Sequence, residues 1–544
     1  MGATSETCPN LKYNETCSRP CSPPLATTPP LAAAPKSLYT ELMPGFFVEN
    51  FGCRAARADG EAVSAQLRAG GLLERSLDEA DVIIVNTCSV TAEADRAARA
   101  FIRRSHRHNP SAHIVVTGCY AQRAPDELAS LDGVRAVVGN SHKALAPAVA
   151  AQLVDVALFH ARPASALIPV ASLMGNRSGN VAIFADDRFA HSFIEEAQVT
   201  HSPASSLPTA SSASQARTQT RPNLKIQEGC NNRCTFCVIP HTRGSSRSLP
   251  PDAVLRQVEG FIAAGGKELV LSGINLGQWG RDRSDAHDAP PSLAALVLKI
   301  LTNTSLARLR LSSIEPMDWT DELMALLGEF GRDQSSPRFA RHAHLPLQSG
   351  SDAVLRRMHR RYRPWHYQLK VDALIHAAGP DLTLGADVMV GFPGETDAEF
   401  DETCAMIRAL PFGYLHLFPF SPRPATRAWA LHMETPVPRE LVDERMAALR
   451  ILAELKTLQH RQRFVGRSVH VITLDTPDTQ HGTAAITDNF LPVRLSSRLA
   501  RNQLIRAHVN AIAEGATDDG TNEGIQEGTL LASITHTPSE TPPL

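Results

Sequence analysis

No apolar run in this 544-residue chain approaches the ~18 residues that a bilayer-spanning helix requires. The N-terminus carries no basic segment followed by an apolar core, so a secretion signal is not expected either. No membrane partner is expected, and the expected location is cytoplasmic. Charge of one sign is also missing: 54 Lys and Arg stand against 56 Asp and Glu, a formal net charge of -2. That balance neither requires nor forbids a nucleic-acid partner, because binding needs a local basic face and not a global excess. A disulfide framework is not expected. In a chain of this size without a secretion signal, the ten cysteines read as metal ligands or free thiols. With 43% hydrophobic and 20% charged residues the chain is otherwise an ordinary folded protein, long enough for about three or four domains.

Composition divides the chain. Residues 1–42 are rich in Pro, Thr, Ala and Ser with no sustained period, and are expected to be a disordered leader, with Met43 as a candidate start. From 43 to 145 short apolar strands such as Val82–Val85 and His113–Val116 alternate with helical patterns, which predicts a small α/β sheet domain. Residues 146–221 read as an irregular insertion, with a flexible Ser/Ala/Thr/Pro-rich linker at its end. From 222 to 460 six strand candidates recur with helices between them, near Leu224, Leu269, Leu309, His344, Ala386 and Tyr414, followed by a long basic helix. Six βα units predict a partial (β/α)6 barrel with its chemistry at the C-terminal strand ends. Residues 461–535 read as a small β-rich domain and 536–544 as a tail.

The loop after the first barrel strand holds Cys230, Cys234 and Cys237. Three thiolates at this spacing can hold three corners of a cubane iron–sulfur cluster and leave the fourth iron open to bind something. Soft thiolate ligands also suit zinc. A structural zinc site would want a fourth Cys or His, for which His241 is the nearby candidate. Three buried core cysteines are the remaining reading. Cys53, Cys88 and Cys119 form a second set, each just past a predicted strand of the first domain. Strand ends on one edge of a parallel sheet converge, so these three can also hold a cluster; the plain alternative is three small buried residues.

Beyond spacing, the residues resemble a known family. The segment Cys230–Ser248, with Phe236 before the last cysteine, resembles radical S-adenosylmethionine (SAM) enzymes, and the methylthiotransferases among them. So do Asn86–Thr91, Val116–Gln122, Leu311–Pro316, Leu345–Ser351 and Val390–Thr396. The resemblance runs in order from about 46 to 500, and it implies two [4Fe-4S] clusters, an auxiliary one on Cys53, Cys88 and Cys119 and a SAM-binding one on Cys230, Cys234 and Cys237. It further implies an external one-electron reductant, a 5′-deoxyadenosyl radical and a C-terminal RNA-binding TRAM barrel. Within the family the chain is most similar to the MtaB-type branch, which acts on N6-threonylcarbamoyladenosine at position 37 of tRNA, next to the anticodon. The two-residue gap between Gly244 and Arg247 and the run Gly118–Gln122 carry that choice. Methylthiolation of isopentenyladenosine or of a ribosomal-protein aspartate is the alternative, and a non-catalytic redox protein a distant one.

By topology the resemblance places Phe236, Ser272, Gly273, Asn275, Gln348, Ser349, Asp387 and Gly391 as SAM-binding candidates at strand ends. Two basic runs, Arg103–Arg107 and Arg356–Arg363, are candidates for phosphate contacts, with Arg356, Arg357, Arg360 and Arg361 foremost. The tRNA anticodon stem-loop is the expected partner and a monomer the expected state. Ala56 and Arg57 stand where the family usually has Asn and Gln, and the acidic, Gly-rich stretch at 514–527 departs from a regular TRAM.

Overall fold

The computed structural model describes residues 43–154, 176–178, 181–187, 189, 220–283, 290–332, 336–476, 482–513 and 528–534. The leader, the linker at 200–219 and the stretch at 514–527 lie outside the described residues. Pro44–Leu544 forms one compact unit.

Strands β1 (Gly45–Asn50), β2 (Leu73–Glu74), β3 (Val82–Thr87), β4 (His113–Gly118), β5 (Val134–Gly139), β6 (Asn176–Ser178) and β7 (Val181–Phe184) form one sheet in the order β2-β1-β3-β4-β5-β7-β6. All neighbours are parallel except β6 and β7. Every residue of β3 is buried. Its unbroken Val-Ile-Ile-Val run follows from having helices on both faces, since a strand covered twice has no solvent side to make polar. Helices Arg54–Ala69 and Ala146–Leu153 pack on one face and Ala92–His108 on the other. Ala98, Phe101, Ile102 and Ser105 are buried at helical spacing, and Thr91 caps this last helix by accepting from the Ala94 N–H. The segment expected to be irregular therefore contains a helix and two strands that extend the sheet. Val181–Phe184 is only four residues long, its local partner β6 only three, and its other partner β5 lies more than 40 residues earlier, so the pattern is too short to read as a strand.

The second region is an open parallel barrel. It is built on β8 (Asn223–Glu228), the short antiparallel β9 (Arg247–Ser248), β10 (Glu268–Gly273), β11 (Arg308–Leu311), β12 (His342–His344), β13 (Thr383–Val390) and β14 (Phe412–Pro419). β8, β10 and β11 pair in parallel, as do β12, β13 and β14. The halves join where the Ile314 N–H donates to the His344 carbonyl at 3.0 Å. All six expected strands are present. The fourth ends at His344, where the sequence pattern had it begin; beyond it Leu345 and Leu347 stay in the barrel core, still donating to the Gly385 and Asp387 carbonyls. Helices ring the outside, among them Asp397–Ala409, which starts with a reciprocal Thr396–Glu399 capping box.

β15 (Ser468–Thr473), β16 (Thr483–Thr487), β17 (Pro492–Leu495), β18 (Leu504–Ile512) and β19 (Leu530–Ile534) close into a small barrel around Val471, Val493, Leu495 and Val509. It docks at the N-terminal ends of the large barrel's strands. There Arg341 Nε donates to Asp488 Oδ2 at 2.7 Å and Arg310 Nη2 to the Thr487 carbonyl at 3.1 Å. The opposite, C-terminal mouth is left to the N-terminal sheet domain. Asp95 on the helix Ala92–His108 receives Arg423 Nη1, from the loop after β14, at 2.7 Å. Among the described residues no helix is long and apolar enough to cross a membrane.

Candidate active site

The loop after β8 presents Cys230, Cys234 and Cys237, all partly exposed. Each sulfur is held by its surroundings. Asn275 Nδ2 donates to Cys230 Sγ at 3.5 Å, and the Asn232 N–H donates to the same sulfur at 3.4 Å. Arg360 Nη1 donates to Cys234 Sγ at 3.3 Å, while its Nη2 grips Glu315 through both carboxylate oxygens, at 2.8 and 2.5 Å. Gln227 fastens the loop from below: its Nε2 donates to the Glu228 and Gly229 carbonyls at 3.0 and 2.8 Å, and its Oε1 accepts from the Asn275 N–H at 2.8 Å. Burial, and then Cys234 beside it, push the Cys237 thiol up to about 12, a shift that a bound cation would oppose.

Cys53, Cys88 and Cys119 follow β1, β3 and β4, and the parallel register brings their strand ends together. Two glycines make the approach possible. Gly52 has φ +105, and a Cβ on it would lie 2.4 Å from Cys88 Cβ; Gly118 has φ +98, and a Cβ on it would lie 2.3 Å from the Thr87 carbonyl oxygen. Burial pushes Cys88 up to about 12, with the Cys119 and Cys53 sulfurs adding to it. Cys119 Sγ accepts from Asn140 Nδ2 and from Arg243 Nε, both at 3.2 Å. Cys53, Cys88 and Cys119 thus converge from three strand ends, and three soft thiolates suit the corners of an iron–sulfur cluster.

Between the triplets lies a cavity of about 530 Å3, within the size range of small-molecule sites. Cys53 lines one side of it, and Cys230, Cys234 and Cys237 line another. Of the SAM-binding candidates, Phe236, Gly273, Asn275, Gln348 and Asp387 line it as well. Asn275 Oδ1, Gln348 Oε1 and the neighbouring Ser312 Oγ are buried there without a hydrogen-bond partner among the described residues. A polar cofactor fits such atoms, because a buried unpaired acceptor is costly until something satisfies it. Gln348 also holds a left-handed φ of 62°, a strain that non-glycine residues rarely carry outside functional positions. Phe236 packs beside the apolar cluster of Val354, Met358 and Phe392.

The remaining candidates lie elsewhere. Ser272 is buried outside the cavity lining. The Ser349 hydroxyl is spent on Thr403 Oγ1 at 3.1 Å and on the Ser351 N–H. Gly391 takes φ +75 in a turn against Val442. Nor do the four arginines of the basic run share a face. Arg356 is exposed and pairs with Asp352; Arg361 reaches Asp318; Arg357 makes a two-pronged contact with Glu399 at 2.8 and 2.7 Å. Arg360 corrects the expectation: its side chain is 5% exposed and turned toward Cys234, because Glu315 neutralises it there, so it is closed to a phosphate. Ala56 is buried under the Asn86 amide, which donates to its carbonyl at 2.5 Å, while Arg57 is exposed.

Sequence reasoning missed His344 and His416. They stand on β12 and β14, with Asp387 on the intervening β13, at 3.1 Å from His344 Nε2 and 3.3 Å from His416 Nδ1. Burial would raise the Asp387 carboxyl, but the two imidazoles outweigh it and hold it well below the usual range.

A parallel barrel with a three-cysteine loop at its mouth, facing a largely apolar cavity with a few buried polar atoms, defines a radical SAM enzyme. Residues 224–407 match the radical SAM superfamily, and residues 45–139 match the uncharacterized protein family UPF0004. The chain is 32% identical to the threonylcarbamoyladenosine tRNA methylthiotransferase MtaB of Bacillus subtilis, over 81% of this chain and 88% of that protein. It is 30% identical to the MtaB of Aquifex aeolicus, over 84% and 98%. A tRNA-2-methylthio-N(6)-dimethylallyladenosine synthase of Sorangium cellulosum is 33% identical, over 79% and 82%. The chain belongs to the radical SAM methylthiotransferase family and resembles its MtaB-type members over most of their length.

Proposed function

We propose that this chain inserts a methylthio group at C2 of N6-threonylcarbamoyladenosine at position 37 of tRNA, using SAM and two [4Fe-4S] clusters. The observation that carries the reading is the single cavity reached by Cys53 and by Cys230, Cys234 and Cys237 together. An electron carrier needs no such space between its centres; sulfur insertion needs the base, the radical source and the sulfur source in one enclosure.

Cys230, Cys234 and Cys237 would hold the SAM-binding cluster, and Cys53, Cys88 and Cys119 the auxiliary one. When bound, the first supplies the electron that cleaves SAM and the second the sulfur that is inserted. The chain's own residues do the rest. Gln227 and Asn275 fix the loop, and Arg360 sets positive charge on the Cys234 side while Glu315 compensates it. Phe236, Met389 and Phe418 exclude water from the lining. Asn275, Ser312 and Gln348 offer free acceptor oxygens to the polar ends of SAM. Asp387 holds His344 and His416 at the cavity wall, with the Tyr414 hydroxyl on the other nitrogen of His344.

For the tRNA backbone the supporting surface is the exposed basic side of the helix Ala92–His108, with Arg103, Arg104 and Arg107, together with Arg356 and Arg361. The remaining partner is an external one-electron reductant, and the chain acts as a monomer in the cytoplasm. Identity alone does not separate the threonylcarbamoyl from the dimethylallyl branch; the Gly244–Arg247 spacing favours the former. The test is paired. Reduced, reconstituted protein must release 5′-deoxyadenosine from SAM, and replacing Cys53, Cys88 and Cys119 by Ala must abolish methylthio transfer while leaving that release in place. No 5′-deoxyadenosine from the unsubstituted chain would refute the reading.

A further inference from the structure

Five charged side chains are buried where the N-terminal sheet domain meets the barrel. Asp59 comes from the helix Arg54–Ala69, Lys143 from the turn Asn140–Leu145, Lys225 and Glu228 from β8, and Arg243 from the end of the short helix Ile239–Arg243. None of these side chains is more than 8% exposed. Lys143 Nζ pairs with Asp59 at 3.1 Å and also with Glu228, Lys225 Nζ pairs with Asp59 and with Glu228 at 2.6 Å, and Arg243 Nη1 pairs with Asp59 at 3.1 Å and Glu228 at 2.7 Å. Within this group three cations face two carboxylates, and burial makes each of these charges costly unless it is paired.

Arg243 links this group to the second cysteine triplet. Its fork is divided: Nη1 serves the two carboxylates, Nε donates to Cys119 Sγ at 3.2 Å, and Nη2 is buried with no partner among the described residues. Asn140 Nδ2 donates to the same sulfur, also at 3.2 Å. A ligating thiolate on an anionic cluster would complement the Arg243 charge, and the unpartnered Nη2 would be free to donate to the same group. Lysine has neither the planar fork nor the reach to do all three.

We propose that Arg243 is an outer-sphere partner of the auxiliary cluster, a positioning residue that holds the Cys119 sulfur and raises the cluster's reduction potential. The inference rests on Cys53, Cys88 and Cys119 holding that cluster. Hydrogen bonds to ligand sulfur and a nearby positive charge stabilise the more negative, reduced cluster, and so raise its potential. Asp59 works in the opposite sense, by offsetting part of the Arg243 charge.

The test uses the full chain with Cys230, Cys234 and Cys237 replaced by Ala, reconstituted anaerobically, so that the auxiliary cluster is observed alone. Its potential is read by titration with reductant, followed by electron paramagnetic resonance. Arg243→Gln must shift the potential to more negative values, Arg243→Lys must recover part of the shift, and Asp59→Asn must shift it to more positive values. A purely structural role would not give opposite signs for the two charge removals. An unchanged potential in an iron-loaded Arg243→Gln variant overturns the proposal. If that variant takes up no iron, Asp59→Asn decides: a positive shift supports the proposal, and no shift or a negative one overturns it. Near-zero iron in the parent triple variant would instead remove the auxiliary-cluster assignment, and this inference with it.

Discussion

Glu268, the first residue of β10, has no exposed side-chain surface and three guanidinium groups around it: Arg221 Nε at 2.7 Å, Arg310 Nε at 2.9 Å and Arg308 Nη1 at 3.3 Å. Burial alone would raise its carboxyl. Arg221, Arg310 and Arg308 outweigh burial and bring it down to about 2, from an ordinary 4.5. That difference corresponds to ~3 kcal/mol of pH-dependent stability. A depressed carboxyl contributes fully above its unfolded value, so the contribution is present above about pH 4.5 and is lost as pH falls from there to about 2. The perturbation is Glu268→Gln, which keeps shape and one acceptor but leaves three buried cations without their anion. Breaking one side of a buried ion pair costs about 3–5 kcal/mol, so both routes give a loss of about 3 kcal/mol or somewhat more at pH 7. The assay is urea unfolding of the apoprotein, followed by fluorescence of Trp279 and Trp319, two buried barrel tryptophans. The variant must unfold at lower urea at pH 7, and its stability must fall less steeply than the unsubstituted protein's between pH 4.5 and 2. Equal midpoints at pH 7, or parallel acid slopes, would refute the reasoning. Because the cluster lies at the barrel's closed end, iron uptake at the mouth must be unaffected.

Further outcomes follow from the site. Gly118→Ala puts a Cβ 2.3 Å from the Thr87 carbonyl oxygen, so iron per reconstituted chain must fall from about eight to about four while SAM cleavage continues; eight irons retained would contradict this. Arg360→Met removes a donor from Cys234 Sγ and strands Glu315. It must lower 5′-deoxyadenosine release by about tenfold or more, as expected for loss of one charged hydrogen bond of ~1.5–3 kcal/mol; unchanged release would dismiss the role. Asp387→Asn removes the negative charge that His344 and His416 share, and must reduce methylthio transfer by a comparable factor. Full transfer would show that this shared charge is unimportant.

The large elements were legible because their signals are local or repeat at a fixed period. The buried run Val82–Val85, the six βα units and the cysteine spacing Cys230–Cys237 could each be read within a few residues. What the sequence hid depends on distance in the chain. Arg360 sits in a basic run that reads as surface, and only its approach to Glu315, 45 residues away, turns it inward. Arg243 reaches Cys119 across 124 residues. His344 and His416 meet over Asp387 only because β12, β13 and β14 lie side by side. β7 joins β5 across a long insertion, and the Gly179-Asn180 turn signal before it stands between strands of only three and four residues, too short to read as a hairpin. Ser349 and Gly391 sit at strand ends, as the topology implied, but a strand end fixes a neighbourhood and not the direction in which a side chain points.

The central claim is tested most directly by nucleoside mass spectrometry of tRNA from a bacterial host lacking its own methylthiotransferases, with and without this chain. The account predicts a gain of 2-methylthio-N6-threonylcarbamoyladenosine, abolished when Cys53, Cys88 and Cys119 are replaced by Ala. A gain of the methylthio-isopentenyl nucleoside instead would keep the chemistry and overturn the substrate. No new nucleoside, in a host that makes both precursors, would contradict the account.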